Sequence, residues 1–480
     1  MTKPEDIQPL TLLEALAPVA GLVILVGLSY FLFGDAGASG PNQVALVVAS
    51  MIAVFVAWRR GHSLQSLHAA AVASVSSGLG AIFILFAVGA LIGTWAMSGT
   101  LVAMVYYGLQ ILSPNYFYVT ATLVCAIVSA SIGSSWTTAG TIGVGFMGIA
   151  VNMGLDPGIT AAAVISGAYF GDTTSPLSDS ANLAAGTSDV GLYQHIRETL
   201  LSSTIALILS LVVFLYLGRP GDFDATEKIN AIQQFYPMSL VLFLPLVVVA
   251  ALAALKLPPF TAILTGAIVG GLLAVFHAPD RVVAFANDPD LPRWLAMVKG
   301  VWLALADGYS AKTGNQMIDD LVSRGGMASM LKTIWLVITA LAFGGIVEKA
   351  GVLERLIEPV VNAARSTGAL ISALIGSVVA ANIITADQYI AIVLPARMFK
   401  SAFAKLGFSP IVLSRAVGAA ATPTSALIPW NSCGAYMAAT LGVATTSYAP
   451  YAVFNFASPL IVIAIAFLNI RMPRSAPAEA

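Results

Sequence analysis

Long apolar segments separated by short polar connections dominate the chain. A helix needs about 20 apolar residues to cross the hydrocarbon core of a bilayer. This pattern predicts full transmembrane helices at 17–34, 42–58, 78–98, 196–217, 236–254, 259–276, 328–348 and 450–471. The fold class that follows is an all-α polytopic membrane protein.

Four further apolar segments carry a polar interruption. The interrupted segments are 116–153 with SASIGSSWTTAG, 159–188 with GDTTSPLSDS, 368–399 with NIITADQ and 409–441 with ATPTSALIPWNS. Proline cannot donate a backbone hydrogen bond and glycine permits unusual dihedral angles, so GDTTSP in particular should unwind its helix. Irregular backbone is tolerated at membrane depth only where it lines a cavity or is buried in protein.

The two halves of the chain resemble each other. A shift of about 250 residues places Thr174-Ser175-Pro176-Leu177 on Thr424-Ser425-Ala426-Leu427, and both interruptions recur at this offset. We expect transmembrane repeats at 13–218 and 232–472, a connecting loop at 219–231, and cytoplasmic tails at 1–12 and 473–480. With one re-entrant hairpin and one broken helix, each repeat has about five transmembrane helices. Because five is odd, the second repeat has the inverted topology.

The distribution of basic residues sets the expected orientation. With both termini in the cytoplasm, most of the 22 lysines and arginines fall on the inner face. Most of the others lie in or beside the long loop 278–332, and long loops carry little weight in the positive-inside rule. We therefore expect a multi-pass protein of the inner (plasma) membrane with both termini cytoplasmic.

Composition agrees with this class and excludes others. Charged residues make up 9% of the chain and the mean hydropathy is +0.89, whereas soluble proteins carry roughly 25% charge. A net charge of -1 gives no reason to expect a nucleic-acid partner. Cys125 and Cys433 lie inside apolar runs and imply neither a disulfide framework nor a metal site. We expect no cofactor. We also expect no enzymatic activity, because the sequence offers no plausible nucleophile with a general base.

Three acidic residues lie well inside interrupted apolar segments, namely Asp172, Asp179 and Asp387. A charged side chain at the bilayer centre costs about 2.5 to 3.5 kcal/mol on insertion scales. Taken alone, each residue is explained as well by a structural role, as a helix cap or a hydrogen-bonded packing residue, as by a functional role. Their corresponding positions in the two repeats favour a functional site.

Oxygen donors surround these carboxylates. Hydroxyl groups, an amide and freed carbonyls are hard ligands that suit an alkali cation, and they are supplied by Thr173, Thr174, Ser175, Ser178 and Asn182 in the first half and by Thr422, Thr424, Ser425, Asn431 and Ser432 in the second. Burial raises the pKa of a carboxyl group, so a proton and a cation can compete for it. We expect Asp172 and Asp387 to carry this competition. For Asp179 the roles of second ligand, proton relay and helix cap stay open.

The stretch GAYFGDTTSPLSDSANLAAG makes the chain resemble the NhaC-type sodium/proton antiporters of the ion transporter superfamily, whose members carry a similar GDxxSPLSD stretch. The likeness extends to GSSWTTAGTIG, SRGGMASML, LAFGGIVEKAGVLE, TADQYIAIVLPARMF and IPWNSCGAYMAATLGV. The resemblance implies exchange of sodium ions for protons at paired hairpin tips and broken helices. The implied site residues are Asp172, Ser175, Asp179, Asn182, Thr385, Asp387, Thr424, Ser425 and Asn431, with Ser135, Thr137, Pro176 and Trp430 in support.

One departure from the family pattern bears on the transported solute. Many members have an acidic pair where this chain has Gly418 and Ala419. Related exchangers pair sodium with carboxylates such as malate and lactate, so a small organic solute is the alternative cargo. Arg415, close to the second broken helix, either pairs with such a carboxylate or lies at the cytoplasmic surface. A cation channel is disfavoured because conduction paths usually come from rings of groups around a central pore. The lipid bilayer is the expected partner, and related transporters suggest a homodimer.

Overall fold

The computed structural model describes residues 7–218, 226–363 and 366–474, and these ranges are almost entirely helical with no β-strand. The predicted tails 1–12 and 473–480 and the predicted loop 219–231 lie partly outside the described residues. The predicted all-α membrane fold is confirmed.

The described part of the first half contains eleven α-helices. They are α1 (Leu12–Phe33), α2 (Pro41–Arg59), α3 (Leu64–Ser77), α4 (Leu79–Ser98), α5 (Thr100–Ile111), α6 (Phe117–Ile132), α7 (Ser135–Thr138), α8 (Val144–Asn152), α9 (Pro157–Thr174), α10 (Asp179–Thr187) and α11 (Leu192–Leu217). A π-helical turn, Ala139–Gly143, joins α7 to α8, so Ser135–Asn152 is one continuous helical rod.

The described part of the second half is also helical. Its helices are α12 (Thr226–Phe235), α13 (Leu244–Ala254), α14 (Pro259–His277), α15 (Pro279–Ala286), α16 (Arg293–Ala306), α17 (Gln316–Val322), α18 (Leu331–Lys349), α19 (Val352–Ala363), α20 (Thr367–Thr385), α21 (Gln388–Lys405), α22 (Pro410–Ser425), α23 (Ser432–Leu441), α24 (Thr445–Tyr448) and α25 (Val453–Phe467).

Eight helices of the described chain are long and apolar enough to cross a membrane, or up to ten if two bent pairs are counted as spans. Six predicted full spans are single helices of this kind. The other two, 236–254 and 450–471, belong to the bent pairs, which turn by 90° and 49°. The remaining two long apolar helices are α6 and α20, the first arms of two interrupted segments.

All four predicted interruptions are helix breaks. They are at 133–134 between α6 and α7, 175–178 between α9 and α10, 386–387 between α20 and α21, and 426–431 between α22 and α23. Gly133 and Ala386 occupy corresponding places, and both have a left-handed backbone, with φ of +80° and +56°. A left-handed alanine is strained and must be held by its surroundings.

In the second broken helix, the first proline of the interrupted segment does not end the helix. α22 continues through Pro423 and ends only after Ser425. Because Pro423 has no amide proton, the carbonyl of Ala419 lacks a helical partner, and the Ser458 hydroxyl donates to it at 2.9 Å. The Asn455 amide likewise donates to the Pro423 carbonyl at 2.9 Å. These carbonyls are already hydrogen-bonded within the protein.

Helices α6 and α9 run parallel and in close contact. The Thr122 hydroxyl donates to the Ala163 carbonyl at 3.1 Å, and farther along both helices the Ser129 hydroxyl donates to the Ala168 carbonyl at 2.6 Å. Gly167 permits this approach, because a Cβ atom there would lie 2.1 Å from the carbonyl oxygen of Thr122. The break at the end of α6 is thereby held beside the break at the end of α9.

Helices α20 and α22 repeat the arrangement at their C-terminal ends. The side-chain amide of Asn382 donates to the Ala421 carbonyl at 2.8 Å and to the Thr424 hydroxyl at 3.0 Å. The backbone N–H of Ser432, at the start of α23, donates to the Ala386 carbonyl at 2.9 Å. The breaks at 386–387 and 426–431 therefore meet directly.

We expect Gly167→Ala to destabilise the protein by roughly 1–3 kcal/mol, the usual cost of overpacking. Its methyl group would force α6 and α9 apart at the Thr122 carbonyl. Thermal unfolding of the purified protein in detergent measures the effect as a lower Tm. Gly186→Ala is the matched control, since nothing lies within 4 Å of a Cβ there. Equal Tm values for the two variants would contradict the described approach of the helices.

Candidate functional site

The carboxylate of Asp172, in the last turn of α9, is almost completely surrounded by protein, with 7% of the residue exposed. Its Oδ2 atom accepts hydrogen bonds from the Ser135 backbone N–H at 3.1 Å and from the Ser135 hydroxyl at 2.6 Å. Its Oδ1 atom accepts from the hydroxyls of Ser178 at 2.5 Å and Ser180 at 3.2 Å. Both donor groups lie at helix starts, where the helix dipole favours negative charge.

A cavity of about 880 Å³, which we call the first cavity, contains all three predicted carboxylates. Asp172, Asp179 and Asp387 line it together with Trp136 and Ser432. Among the described residues, however, no three histidine, cysteine or acidic side chains are grouped closely enough to hold a metal ion. The carboxylates therefore share a vestibule without forming one coordination cluster.

Asp387 is the N-cap of α21. Its Oδ1 atom accepts from the backbone N–H groups of Tyr389 at 2.7 Å and Ile390 at 3.0 Å. In the first half the same place is taken by Ser134, the N-cap of α7, whose hydroxyl accepts from the Thr137 N–H at 3.2 Å. Asp387 therefore caps a helix, as one of its predicted roles required, and it also lines the first cavity.

Asp179 is the first residue of α10 and its side chain is exposed toward the cavity. The cap of α10 is Ser178, whose hydroxyl accepts from the Ala181 N–H at 3.2 Å. Asp179 is thus not the cap. Asn182 lies outside the first cavity, and its side-chain amide donates to the Ser178 carbonyl at 2.8 Å. Ser175 is buried beneath the break and accepts from the Leu177 N–H at 3.2 Å.

Four implied site residues of the second half are buried polar side chains outside the cavity lining, namely Thr385, Thr424, Ser425 and Asn431. Asp387 and Ser432, by contrast, line the first cavity. Asn382 connects two of the four buried residues, because its side chain donates to the Thr424 hydroxyl and accepts from the Asn431 side-chain amide at 3.3 Å. Sequence reasoning missed Asn382, although an asparagine in the apolar run VVAANIIT of α20 is a visible signal.

Sequence reasoning also missed several residues that line the first cavity. They are Ser134, Ser180, Gln388, Tyr389 and Arg397. Glu348 at the end of α18 is exposed and lines the same cavity. Only the fold brings these residues together, because they come from α7, α10, α18 and α21.

The supporting residues have structural roles at the breaks. Thr137 donates to the Ser134 hydroxyl at 3.1 Å, and Trp430 donates to the Ile383 carbonyl at 2.7 Å. Pro176 lies in the exposed part of the break after α9. Trp136 lines the first cavity and stacks on Tyr436 of α23, with ring centroids 4.0 Å apart. The Tyr436 hydroxyl also donates to the Trp136 carbonyl at 2.8 Å.

A second cavity of about 820 Å³ lies beyond this aromatic pair. Its lining includes Val144 of α8, Ala435 of α23 and Lys332 of α18. Lys332 and Glu348, which lines the first cavity, are at opposite ends of α18, a helix of 19 residues. At 1.5 Å per residue the helix is about 28 Å long, so the two cavities lie toward opposite ends of the spans.

Arg415 is buried, so of its two predicted alternatives the surface arginine is wrong. Its guanidinium donates to the Arg471 carbonyl at 3.0 Å and lies 3.8 Å from a Glu198 carboxylate oxygen, and it lines neither cavity. Gly418, where the family pattern has an acid, faces His195. A Cβ atom at Gly418 would lie 2.7 Å from Cε1 of His195, whose Nδ1 bonds to the Ser414 hydroxyl.

Comparison with known proteins gives consistent results. The model of the Na⁺/H⁺ antiporter family matches residues 167–470. The Na⁺/H⁺ antiporter NhaC of Alkalihalophilus pseudofirmus is 38% identical, with 90% of each chain covered. The malate-2H⁺/Na⁺-lactate antiporter of Bacillus subtilis is 34% identical over 94% of this chain and 93% of its own. The arginine/ornithine antiporter ArcD of Halobacterium salinarum is 33% identical over 97% of this chain and 94% of its own.

Thiol labelling tests the two cavities. In a chain with Cys125 and Cys433 replaced by alanine, we expect a membrane-impermeant reagent to label Asp179→Cys from one side of the membrane and Ser329→Cys from the other, because these positions line different cavities. Ala185→Cys, at a buried position, should remain unlabelled. Labelling of positions 179 and 329 from the same side would contradict the arrangement.

Proposed function

The chain belongs to the Na⁺/H⁺ antiporter family, and we propose that it exchanges sodium ions for protons across the plasma membrane by alternating access. It is a multi-pass membrane transporter rather than an enzyme. In this proposal Asp172 and Asp387 bind the cation and the proton competitively. The observation that carries it is the carboxylate of Asp172, hydrogen-bonded by serines from two helix starts and facing a cavity.

The surroundings of Asp172 suit either occupant. A serine hydroxyl has one proton to donate and two lone pairs to offer. When the carboxylate is bare, Ser135, Ser178 and Ser180 donate to it. When a sodium ion binds the carboxylate, the same hydroxyls rotate and their oxygens become ligands. When a proton binds, the carboxyl group becomes neutral and no cation is retained.

Asp387 serves as the second titrating group of the proposed site. Only its Oδ1 atom takes part in capping α21, and the residue lines the same cavity as Asp172. Asp179, exposed in that cavity and not needed as a cap, would act as an entry ligand or proton relay. Two carboxylates that lose and gain protons in one vestibule account for coupled exchange.

Contacts at the ends of the interrupted helices that lie away from the breaks support an inverted pair of repeats. In the first half, Gly218 at the end of α11 approaches Asn115 just before α6, and the Asp156 N–H donates to the Tyr118 hydroxyl at 3.2 Å. In the second half, the Ser409 N–H donates to the Pro473 carbonyl at 3.0 Å. The positive-inside pattern puts the first group outside and the second inside, as inversion requires.

The two cavities and the Trp136–Tyr436 pair support alternating access. The rod Ser135–Asn152 and helix α23 both begin at the first cavity and continue into the lining of the second. The stacked pair joins these two elements between the cavities. In the described conformation the carboxylates face the first cavity, whose lining includes Lys256 and Arg397 on the face expected to be cytoplasmic. Rearrangement of this pair would open the site to the other side.

Exchange of a small organic solute is the second candidate. The first cavity, at about 880 Å³, is far larger than a sodium ion needs and falls within the range of small-molecule sites. Two of the relatives are named for malate and lactate or for arginine and ornithine. In this alternative the acidic residues would bind the coupling ion while the solute passes through the rest of the cavity.

Sodium-driven proton movement in proteoliposomes tests the first proposal. With a pH-sensitive dye inside and no organic solute, added sodium should dissipate an imposed proton gradient. Asp172→Asn should reduce the rate to that of empty liposomes, because the charge that holds the cation is lost. Asp280→Asn is the control, since its exposed carboxylate pairs with Arg293 at the surface. A response that requires malate, lactate, arginine or ornithine would favour the second candidate.

Competition between sodium and protons predicts a pH dependence. Lowering the pH protonates the carboxylates and removes the cation ligand, so the apparent KM for sodium should rise as the pH falls. Where the site is mostly protonated the rise approaches about tenfold per pH unit. Initial exchange rates at several sodium concentrations and pH values provide the measurement. An apparent KM that is independent of pH, with only the maximal rate changing, would rule out a shared site.

A further inference from the structure

The two cavities differ in charge. The first is lined by four acidic residues, Asp172, Asp179, Glu348 and Asp387, and by two basic ones, Lys256 and Arg397. Among the described residues the second is lined by Arg324 and Lys332 and by no aspartate or glutamate. Hydroxyl groups of Ser329, Thr333 and Thr440 are also part of its lining. A cation is therefore favoured in the first cavity and an anion in the second.

Arg324 is the strongest sign of an anion site. Its guanidinium donates one hydrogen bond, at 3.3 Å, to the backbone carbonyl of Asp320. No ion pair in the described chain includes Arg324 or Lys332. Burial lowers the pKa of Arg324, a residue of the connection between α17 and α18. A partly buried charge without a counter-charge is unfavourable unless a ligand supplies one.

The backbone that carries Arg324 is rigidly held. Its carbonyl accepts from the Tyr309 N–H at 3.2 Å, and the Gly326 N–H donates to the Gly89 carbonyl of α4 at 2.7 Å. Gly325 and Gly326 have φ of +88° and +85°, a conformation that favours glycine. The segment SRGGM therefore packs against α4, and the guanidinium extends from a fixed scaffold rather than from a free loop.

We propose that Arg324 and Lys332 form a binding site for a small organic carboxylate in the second cavity. A guanidinium presents two parallel N–H groups that match the two oxygens of a carboxylate. The cavity, at about 820 Å³, accommodates an organic acid with its carbon skeleton against Ile92, Met147 and Leu336.

This site deepens the second candidate function, on which its role as a transport site rests, but anion binding itself does not depend on sodium/proton exchange. Asp172 and Arg324 line different cavities. The carboxylate site and the cation site can therefore be lost separately. An anion bound beside Arg324 would enter the transport pathway from the side of the membrane opposite to the first cavity.

Thermal stabilisation of the purified full chain by added anions tests the proposal. Malate and lactate are the organic probes, and sulfate and chloride are the inorganic ones at matched ionic strength. We expect malate to raise the Tm of the wild type in a saturable way and Arg324→Gln to weaken the apparent affinity at least tenfold. Lys332→Gln should weaken it several-fold. Arg293→Gln, a change at an exposed surface arginine, should have no effect.

Two further measurements keep the test decisive if Arg324→Gln folds poorly. Arg324→Lys keeps the charge but loses the paired N–H groups, so it should also bind malate more weakly. In a chain with Cys125 and Cys433 replaced by alanine, malate should slow labelling of Ser329→Cys but not of Asp179→Cys.

Equal malate binding by wild type and Arg324→Gln would overturn the proposal, as would equal stabilisation by chloride, sulfate and malate or no stabilisation at all. Loss of exchange in the wild type with malate binding intact would refute the first function alone.

Discussion

A negative charge held inside a membrane protein must be satisfied by nearby donors, and the rest of this structure depends on how Asp172 meets that requirement. Its carboxylate receives hydrogen bonds from Ser135 at the start of α7 and from Ser178 and Ser180 at the start of α10. These contacts fix three chain segments around one group. They also keep the two breaks of the first half together, so the hydrogen bonds that form the candidate site also stabilise the fold.

The second half meets the requirement with different residues. Asp387 is stabilised by backbone N–H groups at the start of α21, while Asn382 holds Thr424 and Asn431 in a neutral hydrogen-bonded cluster. The first half therefore carries Asp172 near the end of α9, whereas the second half carries Asp387 in the break between α20 and α21. This asymmetry gives one cavity two carboxylates with different donors, which lets their proton affinities differ.

Small residues make the close contacts between helices possible. Gly167 allows α6 to touch α9, and Gly93 allows the glycine-rich segment before α18 to approach α4. The first and second cavities remain between the packed helices, and the stacked rings of Trp136 and Tyr436 separate them. Charge then distinguishes them, with acids in the first and Arg324 and Lys332 in the second.

The sequence by itself determined the membrane fold class, the long helices and the location of all four breaks, because apolar length and the Gly, Pro and Asp interruptions act locally. It also identified Asp172, Asp179 and Asp387 as unusual residues. Only the tertiary structure decided that these three share a cavity while Thr385, Thr424 and Ser425 are buried beside it. It likewise decided that Ser180 contacts Asp172, that Asn382 bonds to Thr424 and Asn431, and that Arg324 lines the second cavity. Such contacts join residues far apart in the chain, so their distances depend on how the helices pack rather than on any local pattern.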